Sequence, residues 1–160
     1  MKKNSAKHIA IYGMVAAVYV VMTVMLSSIS YMGVQFRIAE SLTLLCFYKK
    51  DYIIPLTLGC AIANLFSPMM AWDLPMGTLA TLIALFLVTK CKNIYVASLM
   101  PVIINGIIVG LELYLAVDMP LFLSMIQVAA GEFVCVTILG VSIFKLLSKN
   151  KKFMQIIVFE

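Results

Sequence analysis

Long, uninterrupted runs of apolar residues dominate the sequence. They predict six helices, over residues 9–30, 38–48, 52–66, 75–89, 94–115 and 119–146. The runs are continuous rather than alternating, which favours membrane-spanning helices over a β-barrel. The second and third runs are short for a bilayer core, but Lys49, Lys50 and Asp51 between them would be too costly at mid-membrane for one joint span. We therefore expect one all-α, six-helix membrane domain over residues 1–160.

Composition and charge add an orientation. Hydrophobic residues make up 64% of the chain, charged residues 12%, and the mean hydropathy is +1.09, which excludes a soluble domain. With six crossings and a cytoplasmic N-terminus, Arg37 is the one cationic residue left outside. The inner segments then hold Lys2, Lys3, Lys7, Lys49, Lys50, Lys90, Lys92, Lys145, Lys149, Lys151 and Lys152. This follows the positive-inside rule, so both termini are expected in the cytoplasm and the net charge of +5 does not indicate nucleic-acid binding.

The polar residues within or beside the apolar runs fall in the predicted outer half of the membrane. They are Gln35, Arg37, Glu40, Asn64, Trp72, Asp73, Asn105, Glu112, Gln127 and Glu132, with Trp72 and Asp73 expected in the loop before the fourth helix. Ionisable groups inside a membrane usually face a bundle interior or a water-filled cavity. The set therefore predicts an outward-facing pocket for a polar solute. Hydrogen bonding between helices is the alternative explanation.

Arg37 and Glu40 stand three residues apart at the start of the second helix. That spacing puts them on one helical face, where they could pair with each other. Equally, the two side chains could form the mouth of the pocket. The sequence leaves both interpretations open.

Small residues form a stripe along the first helix, which predicts a docking surface for another membrane subunit. The stripe consists of Ala6, Ala10, Gly13 and Ala17. Similar pairs, Gly59 with Ala63 and Ala80 with Ala84, are expected to serve internal packing. The sequence contains no phosphate-binding loop, metal-ligand spacing or nucleophile motif. A solute pocket without an energy source indicates a binding subunit rather than an enzyme, with no cofactor in this chain.

Several motifs together resemble one family. VQFRIAESLTLL at 34–45, GCAIANLFSP at 59–68 and WDLPMGTLATLIA at 72–84 look like the queuosine-precursor transporter (QueT) family. NGIIVGLEL at 105–113 and GEFVCVTILG at 131–140 are similar to the family's later helices. The chain departs from the expected pattern at Ala39 and Ser41, where Ser and Ala are expected in that order.

The resemblance implies a substrate-specificity (S) component of an energy-coupling factor (ECF) transporter in the bacterial cytoplasmic membrane. It implies a six-helix bundle whose site opens outward and whose first helix docks onto a transmembrane coupling subunit. Two cytoplasmic ATPase subunits would use the ATP. The implied substrates are 7-deazaguanines: 7-aminomethyl-7-deazaguanine, its nitrile precursor, or queuine.

Such a ligand suggests roles for the polar residues. Glu132 or Glu112 would accept the N–H donors of the guanine-like edge, and the other, or Asp73, would hold the ammonium. Further polar contacts are expected from Asn64, Asn105 and Gln127, stacking or a lid from Trp72, and the entrance from Gln35, Arg37 and Glu40. Two other functions stay open: an S component for another vitamin-like solute, and a six-helix membrane scaffold that transports nothing.

Overall fold

The computed structural model describes residues 3–26 and 36–158, with side chains from Ala6 onward within these ranges. The described residues form seven helices and no strand, which confirms the all-helical prediction. The helices are α1 (Lys3–Met25), α2 (Ile38–Tyr48), α3 (Ile53–Asn64), α4 (Met70–Val88), α5 (Ile94–Val117), α6 (Leu121–Leu147) and α7 (Lys151–Val158). Gln35 lies outside the described residues.

Four of these helices are long and apolar enough to cross a membrane: α1 from Ala6 onward, α4, α5 and α6. The α2 and α3 helices are shorter, as the sequence indicated; the 12 residues of α3 span about 18 Å. The predicted count of six membrane-spanning helices is not confirmed: the described residues form seven helices, and the seventh, α7, has eight residues and a length of about 12 Å. This helix is too short to cross, so six crossings remain a prediction.

The start of α4 differs most from expectation. Trp72 and Asp73 were predicted in a loop, but the helix already begins at Met70 and includes both. A π-helical turn runs from Asp73 to Gly77 and contains Pro75, which has no backbone N–H to donate. The wide turn accommodates the proline that the sequence pattern indicated as a helix boundary. Its consequence is that Asp73 points into the bundle and is buried.

Glycines allow the closest helix contacts. A Cβ atom at Gly110 of α5 would lie 2.6 Å from Met125 Cγ and 2.7 Å from Met125 Cα on α6, so α5 and α6 touch backbone to backbone there. A Cβ atom at Gly59 of α3 would lie 3.1 Å from the carbonyl oxygen of Ala16 on α1. Ala63, Ala80 and Ala84 are fully buried, in agreement with the internal packing predicted for the small pairs on α3 and α4.

The lysine-bearing connections meet at one end of the bundle. Lys49 Nζ donates to the Val158 carbonyl oxygen at 3.1 Å, and Tyr52 Oη donates to the Ile157 carbonyl oxygen at 3.0 Å. The loop between α2 and α3 therefore touches α7. The opposite end carries the start of α2, the end of α3 and the start of α4, and the buried polar residues begin there.

Candidate substrate-binding site

Five ionisable side chains are buried together in the interior of the described bundle, each no more than 2% exposed. They are Arg37, Glu40, Asp73, Glu112 and Glu132. One guanidinium and four carboxylates amount to a formal charge of −3 when all are ionised. Burying unpaired charge is costly, so this group must share protons or receive donors from another molecule.

Arg37 joins the ends of three helices. Its Nη2 atom donates to Asn64 Oδ1 at 3.2 Å and lies 3.8 Å from Asp73 Oδ1. Asn64 Nδ2 in turn donates to the backbone carbonyl oxygen of Asp73 at 2.8 Å, and the Ser67 hydroxyl donates to the Asp73 carboxylate. The cross-helix partners of Arg37 thus come from α3 and α4.

A side-chain ion pair between Arg37 and Glu40, one of the two interpretations that the sequence left open, is not formed among the described residues. The Glu40 backbone N–H donates to the Arg37 carbonyl oxygen at 2.9 Å, and the two charges interact only at longer range. Arg37 precedes the first turn of α2 with φ −81° and ψ 77°, outside the helical region. Its side chain therefore does not follow the helical face on which Glu40 lies. Both residues are buried, so they line the interior of the cluster and not an exposed rim.

Glu40 binds two neighbouring helices. Its Oε1 atom accepts hydrogen bonds from Tyr19 Oη of α1 at 2.5 Å and from Thr81 Oγ1 of α4 at 3.0 Å. Sequence reasoning missed Tyr19 and Thr81. For Tyr19 a signal existed: Tyr19 and Thr23 stand four residues apart, which places them on one face of an otherwise apolar helix, and both are buried.

Asn105 and Glu132 form a second pair, between α5 and α6. Asn105 Nδ2 donates to Glu132 Oε1 at 2.8 Å. Glu132 is the last residue before a π-helical segment, Phe133–Gly140, and such segments occur often at functional sites. Glu132 also interacts electrostatically with Glu40 and Arg37, so this pair belongs to the same cluster.

Glu112 lies seven residues beyond Asn105 on α5, and both side chains are fully buried, as their shared face predicted. It interacts electrostatically with Asp73 and Arg37. Neither carboxylate oxygen of Glu112 has a hydrogen-bond donor among the described residues. Asp73 is within hydrogen-bonding reach, but two carboxylates can bond to each other only when one carries a proton.

Acceptors outnumber donors among the unpaired atoms of the cluster. Within the cluster, the buried oxygens without a donor among the described residues are Glu40 Oε2, Asp73 Oδ1, Asn105 Oδ1, both Glu112 oxygens and Glu132 Oε2. Elsewhere in the described chain, Gln127 Oε1 and the hydroxyls of Thr57 and Thr137 also lack a partner. The unpaired nitrogens among the described residues of the cluster are Nε and Nη1 of Arg37. An unsatisfied buried polar atom is expensive. The arrangement therefore suits a solute that brings several N–H donors and at least one acceptor.

The other predicted residues lie nearer the surface. Trp72 is 41% exposed next to the buried Asp73, and Gln127 is half-buried on α6. All members of the small-residue stripe, Ala6, Ala10, Gly13 and Ala17, are exposed on α1. A Cβ atom at Gly13 would meet nothing within 4 Å. The stripe therefore does not serve packing inside the described bundle.

Comparison with known proteins decides the family. The family model described as QueT transporter matches residues 9–149. The chain belongs to the QueT transporter family. This confirms the resemblance of its motifs, and the family is described as one of transporters and not of enzymes. Together with the four long apolar helices, QueT membership indicates a multi-pass membrane protein.

One curated QueT relative shows the extent of the likeness. The queuosine precursor transporter QueT of Lactococcus lactis subsp. cremoris (strain MG1363) is 43% identical over 90 residues. The aligned part covers 54% of this chain and 52% of the relative, so the match spans about half the length of either protein. No solved structure matches this QueT-family chain significantly.

Proposed function

We propose that this chain binds a queuosine precursor of the 7-deazaguanine class in its buried carboxylate cluster, as the S component of an ECF-type importer. The observation that carries the proposal is the excess of unpaired acceptor oxygens around Glu112, Asp73 and Glu132. A 7-deazaguanine has two adjacent N–H donors and one carbonyl acceptor on its pairing edge. It therefore supplies what the cluster lacks.

The Asn105–Glu132 pair suits the guanine-like edge. Asn105 Nδ2 already holds Glu132 Oε1, which leaves Glu132 Oε2 and Asn105 Oδ1 to accept from the ligand. Hydrogen bonds to an ionised carboxylate are roughly twice as strong as those between neutral groups. Arg37 has two unpaired nitrogens and could donate to the ligand carbonyl. This assigns the edge to Glu132, one of the two candidates.

Glu112 and Asp73 suit a cation. Both oxygens of Glu112 and Oδ1 of Asp73 lack a hydrogen-bond donor among the described residues, although Arg37 Nη2 lies 3.8 Å from Asp73 Oδ1. The two carboxylates are within hydrogen-bonding reach of each other. An ammonium has three donors and would replace a shared proton between them. We therefore expect 7-aminomethyl-7-deazaguanine to bind more tightly than its uncharged nitrile precursor. Trp72, half-exposed beside Asp73, could stack on the ligand face, worth about 1–3 kcal/mol.

The transport cycle would depend on partners. We propose six crossings of the bacterial cytoplasmic membrane, with the lysine-bearing end and both termini in the cytoplasm. The exposed stripe of Ala6, Ala10, Gly13 and Ala17 would dock onto a transmembrane coupling subunit, since small residues allow close helix approach. Two cytoplasmic ATPases would supply the energy, and this chain would hold no nucleotide.

Titration of the purified chain with a ligand series tests the binding proposal. The series contains 7-aminomethyl-7-deazaguanine, its nitrile precursor, queuine and hypoxanthine, which lacks the exocyclic amine. We expect the three 7-deazaguanines to bind saturably with 1:1 stoichiometry, the aminomethyl compound most tightly, and hypoxanthine not to bind. Absence of binding to every deazaguanine would refute the proposal. A different vitamin identified in the purified protein by mass spectrometry would then assign another S-component specificity, and no solute at all would favour a scaffold.

Uptake measurements test the ECF assignment separately. Cells that produce the chain together with a coupling subunit and both ATPases should accumulate labelled 7-aminomethyl-7-deazaguanine, and cells that produce the chain alone should not. Uptake by the lone chain in ATP-free liposomes would contradict the assignment while leaving the binding proposal intact.

A further inference from the structure

The lysine-bearing end of α6 carries a strong local positive charge. Lys145, Lys149, Lys151 and Lys152 follow one another closely, and residues 133–158 contain no Asp or Glu. From this end we infer a binding site for the headgroup of an anionic phospholipid. The inference rests on residues at the opposite end of the bundle from the carboxylate cluster and does not depend on the proposed function.

A recess with phosphate-binding chemistry lies at the end of α6. Its volume is about 630 Å³, and it is lined by Ser142, Lys145, Leu146, Ser148 and Lys149. The two ammonium groups can donate to phosphate oxygens. The hydroxyls of Ser142 and Ser148 donate to the backbone carbonyl oxygens of Ile138 and Lys145, at 2.6 and 3.0 Å, so the lysines supply the anion-binding donors of the recess. Among the recess-lining residues, none carries a negative charge that would oppose an anion.

One of the two lysines is held in place. Lys145 Nζ lies 4.4 Å from the centroid of the Tyr95 ring and donates to Tyr95 Oη at 2.5 Å. Tyr95 belongs to the first turn of α5, so this contact joins α5 to α6 at the membrane boundary. Tyrosine and lysine side chains are typical of that boundary, where their apolar parts face lipid and their polar tips face water. A positioned ammonium loses less side-chain freedom when it binds.

An apolar surface leads from the membrane interior to the recess. Leu139, Ile143 and Leu146 are 42%, 47% and 67% exposed, and their spacing of four and three places them on one face of α6. A lipid could lay its acyl chains along this face while its phosphate reaches Lys145 and Lys149. A soluble phosphate would use the recess but not the face, so the combination points to a lipid.

The α7 helix extends the same surface. Lys151 and Lys152 are exposed, while Phe153 packs against the hydrophobic core and Ile157 is buried. A short helix with lysines on its outer side and apolar residues on its inner side is suited to lie in the interfacial plane of the membrane. Each additional lysine should strengthen binding of anionic lipid roughly fivefold, a gain that falls as salt rises.

Native mass spectrometry of the purified protein with added lipid tests the site. The probes are phosphatidylglycerol, phosphatidylcholine with identical acyl chains, and inorganic phosphate. We expect retention of phosphatidylglycerol, little retention of phosphatidylcholine, and no competition from inorganic phosphate at millimolar concentration. Equal retention of the two lipids would overturn the proposal. Displacement by inorganic phosphate would reassign the recess to a soluble anion.

Three double variants localise the effect. Lys145→Gln/Lys149→Gln should bind phosphatidylglycerol roughly 30-fold more weakly. The matched control, Lys90→Gln/Lys92→Gln, removes two charges from the same end of the bundle and should bind within about threefold of wild type. Equal losses would show diffuse attraction and refute a defined site. Lys145→Arg/Lys149→Arg should retain binding, and an unchanged unfolding temperature in each variant shows that the bundle is intact.

Discussion

Replacement of Glu112 by glutamine separates a ligand-binding carboxylate from a structural one. Both oxygens of this buried side chain lack a hydrogen-bond donor within the described chain, and Asp73 lies within reach. A carboxylate that holds the bundle together would have partners here. A carboxylate that binds a cationic ligand would lack such partners in the ligand-free protein.

The structure yields a magnitude for each state of the protein. In the complex, the substitution would remove the equivalent of one charge-assisted hydrogen bond to the ligand, worth about 1.5–3 kcal/mol, so affinity for 7-aminomethyl-7-deazaguanine should fall about 10- to 150-fold. In the free protein, Glu112→Gln removes a negative charge next to Asp73 and adds an N–H donor for it. The unfolding temperature without ligand should therefore stay the same or rise.

Calorimetric titration and thermal unfolding in detergent measure the two effects. The matched control is Asp118→Asn, which removes an exposed carboxylate just beyond the end of α5. Asp118 has φ 55°, a conformation that asparagine also tolerates, so this variant should resemble wild type in both measurements. Unchanged ligand affinity in Glu112→Gln would refute the assignment. A markedly lower unfolding temperature with unchanged affinity would show a structural carboxylate.

Two further changes probe the site and the topology. Gly77→Ala would place a Cβ atom 3.0 Å from Asn64 Nδ2, so we expect an overpacking strain of about 1–3 kcal/mol and weaker ligand binding by titration. The control Gly13→Ala, which has open space around its Cβ atom, should bind the ligand normally. Equal ligand affinity in the two variants would contradict the prediction. Cys91, half-exposed between α4 and α5, should react with a membrane-impermeant maleimide in inverted vesicles and not in intact cells, whereas the reverse would contradict the orientation. Burial raises the pKa of the Cys91 thiol, and the thiolate is the reactive form, so labelling should accelerate as pH rises above neutral.

Helix bounds were predictable where one local feature, an apolar run or an N-capping residue, determined them. The 38–48 run became α2 with the same bounds, and α5 begins at Ile94 after Asn93, whose side chain accepts from the Tyr95 backbone N–H. The start of α4 was not predictable by the same means, since a proline is favoured at the first position of a helix and Pro75 therefore indicated a start there, five residues after Met70. Only the packed bundle stabilises the π-helical turn there. The α7 helix was not predicted, because its eight residues begin with two lysines and give too short a periodic pattern of apolar residues.

Sequence reasoning brought several of the buried polar residues into one region but did not predict how they pair. Assigning helix ends placed Asn64, Glu112 and Glu132 in one region, because the depth of a residue follows from its position along a spanning helix. Pairing depends on contacts between distant segments. Arg37 reaches Asp73 because its own backbone leaves the helical region, and no spacing rule anticipates that. Thr81 joins Glu40 from an apolar helix without a distinctive local pattern.

A structure of the protein with 7-aminomethyl-7-deazaguanine tests the central claim most directly. The claim predicts the guanine-like edge within hydrogen-bonding distance of Glu132 Oε2 and Asn105 Oδ1, and the ammonium between Glu112 and Asp73. Density for the ligand elsewhere, such as the apolar groove of about 500 Å³ between α1 and α3, with the carboxylates unchanged, would contradict it.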